Sequence, residues 1–192
     1  MIYFIADLHF GHKNVMSYDN RPFKTIEEND ETIIKNWNKT VGIDDEVYLL
    51  GDISWHNATK TLEILNNLNG NIHLIKGNHD DRLLRNRDIQ KRFAEIVDYK
   101  ELSLIHSNNK IILCHYPIPC FKNHYYGAYH LYGHVHTGFE DNMMENIKTQ
   151  MTELYNVPCN MYNIGCMKPY MNYTPRTLEE IIKGAEEKLC CL

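Results

Sequence analysis

The chain has 192 residues, 43% of them hydrophobic, enough to build the core of one globular domain. No apolar run reaches the ~18–20 residues of a membrane-spanning helix, and the opening Met1-Ile2-Tyr3-Phe4-Ile5-Ala6-Asp7 lacks the basic start of a secretory signal. A net charge of −5 argues against tight sequence-independent binding to nucleic acid, and six cysteines without a C-x-x-C pair predict free thiols in a cytoplasmic protein.

In chain order, Ile2–Ala6 is a run of strand formers, and Asn29 to Val41 carries Ile33, Ile34, Trp37 and Val41 at helical spacing. Val47–Leu50 reads as a second strand. Ala58 to Asn69 reads as a helix through Leu62, Leu65 and Leu68, with Gly70 as its C-cap. Ile72–Ile75 is a third strand, and Asp81 to Phe93 a basic helix. The second half predicts strands at Glu95–Tyr99, Leu102–His106, Lys110–Cys114, Tyr129–Tyr132 and Asn160–Ile164, with a hairpin turn at Asn108-Asn109. Asp141 to Pro158 fits a short helix on a small insertion, and Leu178 to Leu189 a closing helix. The order β-α-β-α-β followed by antiparallel strands predicts a single α/β domain over 1–192, with two mixed sheets sandwiched between helices.

Eleven histidines are the unusual feature of the composition. Five apolar runs each deliver residues that can bind a metal. Ile2–Ala6 leads to Asp7 and His9, and Val47–Leu50 to Asp52. Ile72–Ile75 leads to Asn78, His79 and Asp80, Ile111–Cys114 to His115, and Leu131-Tyr132 to His134 and His136. Sites in open α/β sheets form outside the carboxyl ends of strands, and a core has no use for such repetition. Residues i and i+2 on an extended segment share a side, so Asp7 with His9, and His134 with His136, are expected to face one way. At ~3.3 Å per residue the latter two stand roughly 6–7 Å apart, a spacing suited to two ions. Gly51 and Gly77 let the backbone turn just before Asp52 and Asn78. Carboxylate, imidazole and amide donors without thiolate favour Mn, Fe or Zn over a structural zinc or iron–sulfur site.

Asp7-Leu8-His9, Gly51-Asp52, Gly77-Asn78-His79-Asp80, His115 and Gly133-His134-Val135-His136, in this order, resemble the calcineurin-like metallophosphoesterase family. The opening through Gly11-His12-Lys13-Asn14, with Arg21-Pro22-Phe23 downstream, resembles a compact bacterial and phage-type subgroup. The resemblance implies an α/β/β/α fold and a centre of two divalent ions. Asp7, His9, Asp52 and His136 would hold one ion, and Asp52, Asn78, His115 and His134 the other, with Asp52 bridging. His79 would act on the phosphoryl group or protonate the leaving oxygen, and Asp80 would orient His79. The implied reaction is hydrolysis of a phosphodiester or phosphomonoester, a nucleotide included, by in-line attack of a metal-bridging hydroxide. A nuclease acting on nucleic acid ends and a non-catalytic scaffold on the same fold are the competing readings.

Other residues carry two readings each. His12 lines the site or caps a turn. The stretch Tyr116 to Tyr132, with Phe121, His124, Tyr125, Tyr126, Tyr129 and His130, forms a base-stacking rim or packs a loop. Arg82, Arg85, Arg87, Lys91 and Arg92 attract a polyanion or form a solvated helix face. Lys13 and Arg21 reach a phosphate, or Arg21-Pro22-Phe23 fixes a turn. His56, His73 and His106 read as structural, and the Met-rich segment around Met143 and Met144 as packing.

Overall fold

The computed structural model describes residues 1–103 and 110–189. The expected turn at Asn108-Asn109, His106 and the adjacent Cys190-Cys191 lie outside the described residues. Strands β1 (Ile2–Ile5), β2 (Glu46–Leu49), β3 (Asn71–Ile75) and β4 (Phe93–Val97) stand side by side in that order, all parallel. The short α1 (Val15–Tyr18) and the long α2 (Ile26–Thr40) cross from β1 to β2, α3 (Ala58–Asn67) from β2 to β3, and the one-turn α4 (Arg87–Gln90) leads into β4. A second sheet has the order β5 (Tyr99–Ser103), β6 (Lys110–Cys114), β7 (Tyr129–Tyr132), β8 (Asn160–Asn163). Helix α5 (Phe139–Glu153) connects β7 to β8, and α6 (Leu178–Leu189) follows. Two sheets with flanking helices are the expected architecture.

The pairing within the second sheet differs from expectation. β5 and β6 are antiparallel, whereas β6 with β7 and β7 with β8 are parallel. The connections from β6 onward are long crossovers, one carrying α5, and a crossover returns a strand in the same direction. Asp98 alone separates β4 from β5, so the expected strand Glu95–Tyr99 is in fact the point where the chain changes sheets.

Local chemistry explains the helix boundaries. Thr25 caps α2 by accepting the Glu28 N–H at 3.2 Å, so the helix begins at Ile26, three residues before the expected start, and Glu27 and Glu28 place acid in the first turn. Ile26, Ile33 and Trp37 are buried along one face of α2. Asn57 caps α3 in the same way. Leu68, in extended conformation, ends α3, so Gly70 is not its C-cap. Gly70 instead takes φ +88° in the turn before β3, where a Cβ would lie 2.9 Å from the Asp45 carbonyl. The basic helix expected over Asp81–Phe93 is broken at Asn86. That residue is extended, and its side chain accepts from the N–H groups of Asp88 and Ile89, restarting the chain as α4. The expected short helix at 141–158 is α5, a fifteen-residue helix that buries Met144.

Alternation along the second sheet feeds two cores. Ile111, Leu113 and Leu131 join the main core, which also holds Phe4, Ile5, Leu49 and Leu74 of the first sheet and Trp37 of α2. Ile112, Tyr132 and Met161 face the other way, into a smaller core with Phe121, Val135 and Met144. The sheets also meet edge to edge beyond β1 and β8. Ala6 N–H donates to the Ile164 carbonyl at 3.0 Å, and Cys166 N–H to the Ala6 carbonyl at 2.8 Å. Cys114, Cys120, Cys159 and Cys166 are free thiols.

Candidate metal centre

The loops after β1 and β2 are zipped together. Asp7 N–H donates to the Gly51 carbonyl at 3.2 Å, His9 N–H to Asp52 at 3.0 Å and Phe10 N–H to Ile53 at 3.0 Å. Five residues expected to bind metal have left-handed backbone: Asp7 (φ 56°), His9 (51°), Asp52 (54°), His134 (70°) and His136 (49°). The extended-segment argument for Asp7/His9 and His134/His136 is therefore wrong in mechanism. Each pair is turned by two left-handed residues, while the intervening Leu8 and Val135 are buried. A non-glycine residue in this region costs of order 1–3 kcal/mol and survives where surrounding contacts enforce it, often at a functional site. Gly51 is left-handed at φ +77°, and Gly77 serves by closeness: a Cβ there would sit 2.3 Å from Asp52 Oδ1.

These loops gather all seven side chains expected as ligands. Donor atoms of Asp7, His9 and His136 lie within 4.8 Å of one another, as do those of Asp7, Asp52 and His115. Asp7 thus stands in both triads, a place the resemblance gives to Asp52. Asp52 Oδ2 nevertheless lies 3.7 Å from both His9 Nε2 and His115 Nε2. Asn78 Oδ1 is 3.0 Å from His115 Nε2 and 2.9 Å from His134 Nδ1.

The donor set fits divalent ions. His115 Nδ1–H donates to the Leu50 carbonyl at 2.8 Å, which turns the lone pair of Nε2 toward Asn78 and Asp52. His136 Nδ1–H donates to Asp19 at 2.9 Å, which turns its Nε2 toward His9 Nε2, 3.2 Å away. Second-partner contacts of this kind fix the tautomer of metal-binding histidines. A divalent ion between His9 Nε2 and His136 Nε2, or a single proton shared as an N–H···N bond, satisfies this pair, and His9 Nδ1 is buried without a partner of its own. Burial, then the neighbouring His136, Arg21 and His12, pushes the His9 imidazole well below its ordinary pKa, keeping it neutral as a ligand must be. Burial also raises the Asp7 carboxyl, with His115 and His136 pulling the other way.

Several supporting residues carry no motif in the sequence. Asp19, fully buried, holds His136 and accepts from Arg21 Nε at 3.1 Å. The remaining Arg21 donors reach the carbonyls of Leu8 (3.1 Å) and Asp7 (3.0 Å) and Asn29 Oδ1 (3.2 Å). Of the two readings of Arg21, the structure supports the one that fixes the loop, since its guanidinium is buried. Asn163 Nδ2 donates to the His136 carbonyl at 2.8 Å and to Asp141, which pairs with Lys168 at 2.6 Å. Trp55 lies against three imidazoles, those of His12, His79 and His9, at ring-centroid distances of 4.0, 4.5 and 4.8 Å. The opposite charges of Asp19-Asn20-Arg21 were the available signal for the first network; Trp55 offered none.

His79 is exposed, and its N–H donates to Asp52 Oδ1 at 3.0 Å. Asp80 does not orient it. Asp80 Oδ2 accepts from Asp52 N–H (3.0 Å) and Gly77 N–H (2.8 Å), and Oδ1 from Ile53 N–H (3.0 Å). The carboxylate braces the loops after β2 and β3 from below. Burial pushes it up to about 6, with the three amides opposing.

Around the centre, the aromatic loop and the basic cluster each take on a definite part. His130 and Phe121 are buried packing in the 116–132 stretch, whereas Tyr116 is exposed and meets His134 edge-on at 4.7 Å. The basic cluster is not one face. Arg82 donates to the carbonyls of Trp55 and His56, and Arg92 to those of Leu65 and Leu68. His56 pairs with Asp30 at 3.0 Å, and His73 lies between Glu46 and Glu95.

The calcineurin-like phosphoesterase family matches residues 1–152. An uncharacterised protein of Methanocaldococcus jannaschii is 34% identical over 191 residues, covering 97% of this chain and 92% of its own length. The gene 66 protein of Mycobacterium phage L5 is 40% identical over 92 residues, 46% of this chain and 44% of that one. The crystal structure of a protein of unknown function from Aquifex aeolicus aligns with a TM-score of 0.68 at 28% identity, covering 95% of this chain and 98% of the other.

Proposed function

The chain belongs to the calcineurin-like phosphoesterase family, and from that premise we propose that it is a dinuclear metal-dependent phosphohydrolase acting on a small phosphodiester or phosphomonoester, with nucleotides among the candidates. The observation that carries this reading is the convergence of seven nitrogen and oxygen donors at strand ends, two of them imidazoles anchored at Nδ1 and aimed inward by Nε2. Asp7, His9, Asp52 and His136 would hold one ion, and Asp52, Asn78, His115 and His134 the other. Mn, Fe and Zn all suit this donor set. When bound, such ions supply Lewis-acid neutralisation of charge on the phosphoryl oxygens and acidify water at neutral pH.

The chain's own residues do the rest. Asp80 and the Arg21–Asp19 pair hold the loops rigid, so the donors keep their places without rearrangement. His79, exposed beside Asp52, donates a proton to the leaving oxygen. Arg92 is turned inward onto backbone carbonyls, while Arg82, Arg85, Arg87 and Lys91 stay exposed, so the nuclease reading keeps part of its basic cluster and rests behind the phosphohydrolase reading on the net charge of −5. No helix among the described residues is long and apolar enough to cross a membrane, and action in the cytoplasm is part of the proposal.

The test is hydrolysis of bis-p-nitrophenyl phosphate against p-nitrophenyl phosphate by metal-stripped protein refilled with Mn²⁺, with Asp52→Asn as control. Metal-dependent cleavage of one ester, reduced by at least ~10²-fold in the variant, is expected. No cleavage of either ester by protein with two bound ions would overturn the reading.

A further inference from the structure

We propose that Trp55 is the positioning residue for His79, the part that the family resemblance gives to Asp80; this rests on the phosphohydrolase reading. His79 needs something to hold it. Its ring is exposed, its nitrogens have no hydrogen-bond partner among the described residues, and the oxygens of Asp80 are taken by three backbone amides. Its main chain is tethered to Asp52, but that bond leaves the side-chain torsions free. The nearest aromatic contact that limits them is the indole of Trp55, 4.5 Å from the His79 ring at an interplanar angle of 54°, with the His9 ring further off at 6.4 Å.

Trp55 is itself held. Its backbone N–H donates to the Phe10 carbonyl at 2.8 Å, and its carbonyl accepts from Arg82 at 3.2 Å. His12 lies flat against the indole, with rings 6° from parallel and 4.0 Å apart. The His12 Nδ1 is buried without a partner, so His12 contributes here as a packed plate. His12 thus lines the site. Aromatic contact fixes a ring's position without competing for its protons, which a carboxylate partner would do. A proton donor held this way keeps a free nitrogen for the substrate.

The chemistry that depends on this placement is simple. As the bond from phosphorus to the leaving oxygen breaks, its electron pair stays on that oxygen, and a proton moves to it from the His79 ring. The proton matters most when the leaving oxygen is strongly basic. A misplacement of about 1 Å in such a group costs ~10²-fold in rate.

The experiment uses metal-loaded wild type, Trp55→Ala, Trp55→Phe and His79→Ala, with bis-p-nitrophenyl and diphenyl phosphate as substrates. Trp55→Ala is expected to lower kcat on the phenyl ester by ~10–10²-fold and on the nitrophenyl ester by less than ~3-fold, with KM and bound metal unchanged. Trp55→Phe should recover most of the loss, and Trp55→Ala should add nothing in a His79→Ala background. Equal losses on both esters, loss of bound metal, or no loss would overturn the proposal. Proton NMR of the His79 ring supplies a readout without turnover. The wild type is expected to show an upfield ring-current shift that Trp55→Ala removes, and an unshifted resonance in the wild type would overturn the placement. If the wild type cleaves neither ester, the phosphohydrolase reading falls, and the catalytic purpose of Trp55 with it.

Discussion

His115 and His130 start from the same circumstances. Both are completely buried, one just beyond β6 and the other inside β7, and each donates from Nδ1 to a backbone carbonyl, Leu50 at 2.8 Å and Ile112 at 3.0 Å. They part at Nε2. In His130 that nitrogen accepts the Ile118 N–H at 3.0 Å, so the ring is saturated and neutral, and burial pushes it down to about 4. In His115 it meets Asn78 Oδ1 and, further off, Asp52 Oδ2, neither of which brings a proton. A buried histidine becomes a pillar or a ligand according to what its second nitrogen finds. Inside β7, His130 meets a backbone amide of the loop that follows β6; one step beyond β6, His115 meets side chains of the loops after β2 and β3.

Replacing each ring breaks the comparison most directly. His115→Ala is expected to lose at least one of two bound ions and to lower activity by ~10²-fold or more. His130→Gln should keep both ions and lose about 1–3 kcal/mol of stability, the cost of disturbed buried hydrogen bonds. Elemental analysis beside urea unfolding separates the two; an ion-depleted His130→Gln would erase the distinction.

Acid sharpens it. The folded value of His130, about 4, lies below its ordinary 6.5, so between those pH values the unfolded chain binds a proton that the folded chain refuses. Stability from this group is therefore whole above about pH 6.5 and declines as the pH falls toward 4, by up to ~3 kcal/mol at ~1.4 kcal/mol per unit. His130→Gln should show a shallower decline than wild type over that range, and parallel unfolding curves would refute the assignment.

A smaller effect is expected at His136, whose Nδ1 rests on a carboxylate rather than a carbonyl. Asp19→Asn keeps an acceptor but removes the charge, and should weaken metal affinity by ~10–100-fold. Titration with Mn²⁺ measures it, and unchanged affinity would make Asp19 a partner of Arg21 alone.

What was legible in the sequence was whatever depends on neighbours in the chain. Apolar runs ending in Asp7, Asp52, Asn78, His115 and His134 announced strands with chemistry at their tips, because a strand end and a ligand type are both local facts. The break at Asn86 was harder, since its cap competes on nearly equal terms with a continuing helix. The change of sheet at Asp98 was hidden because strand formers flank it on both sides. Left-handed Asp7 and His136 could not be foreseen, as non-glycine residues accept that backbone only when distant contacts compel it. Asp19 and Trp55 acquire their roles from partners on other loops, Asp19 from one 117 residues away.

Those long separations also set a schedule. The Asp7 carboxylate is held by the His134 N–H, 127 residues on, and its carbonyl by Cys166 Sγ, 159 residues on. At ribosomal speeds of ~5–20 residues per second, roughly 10–30 s pass between synthesis of the first donor and of the last residue that locks it. For that interval Asp7 lacks the contacts that hold its carboxylate and its carbonyl in place. The arrangement of donors therefore exists only once the chain has closed behind them, and belongs to the finished protein rather than to the nascent one.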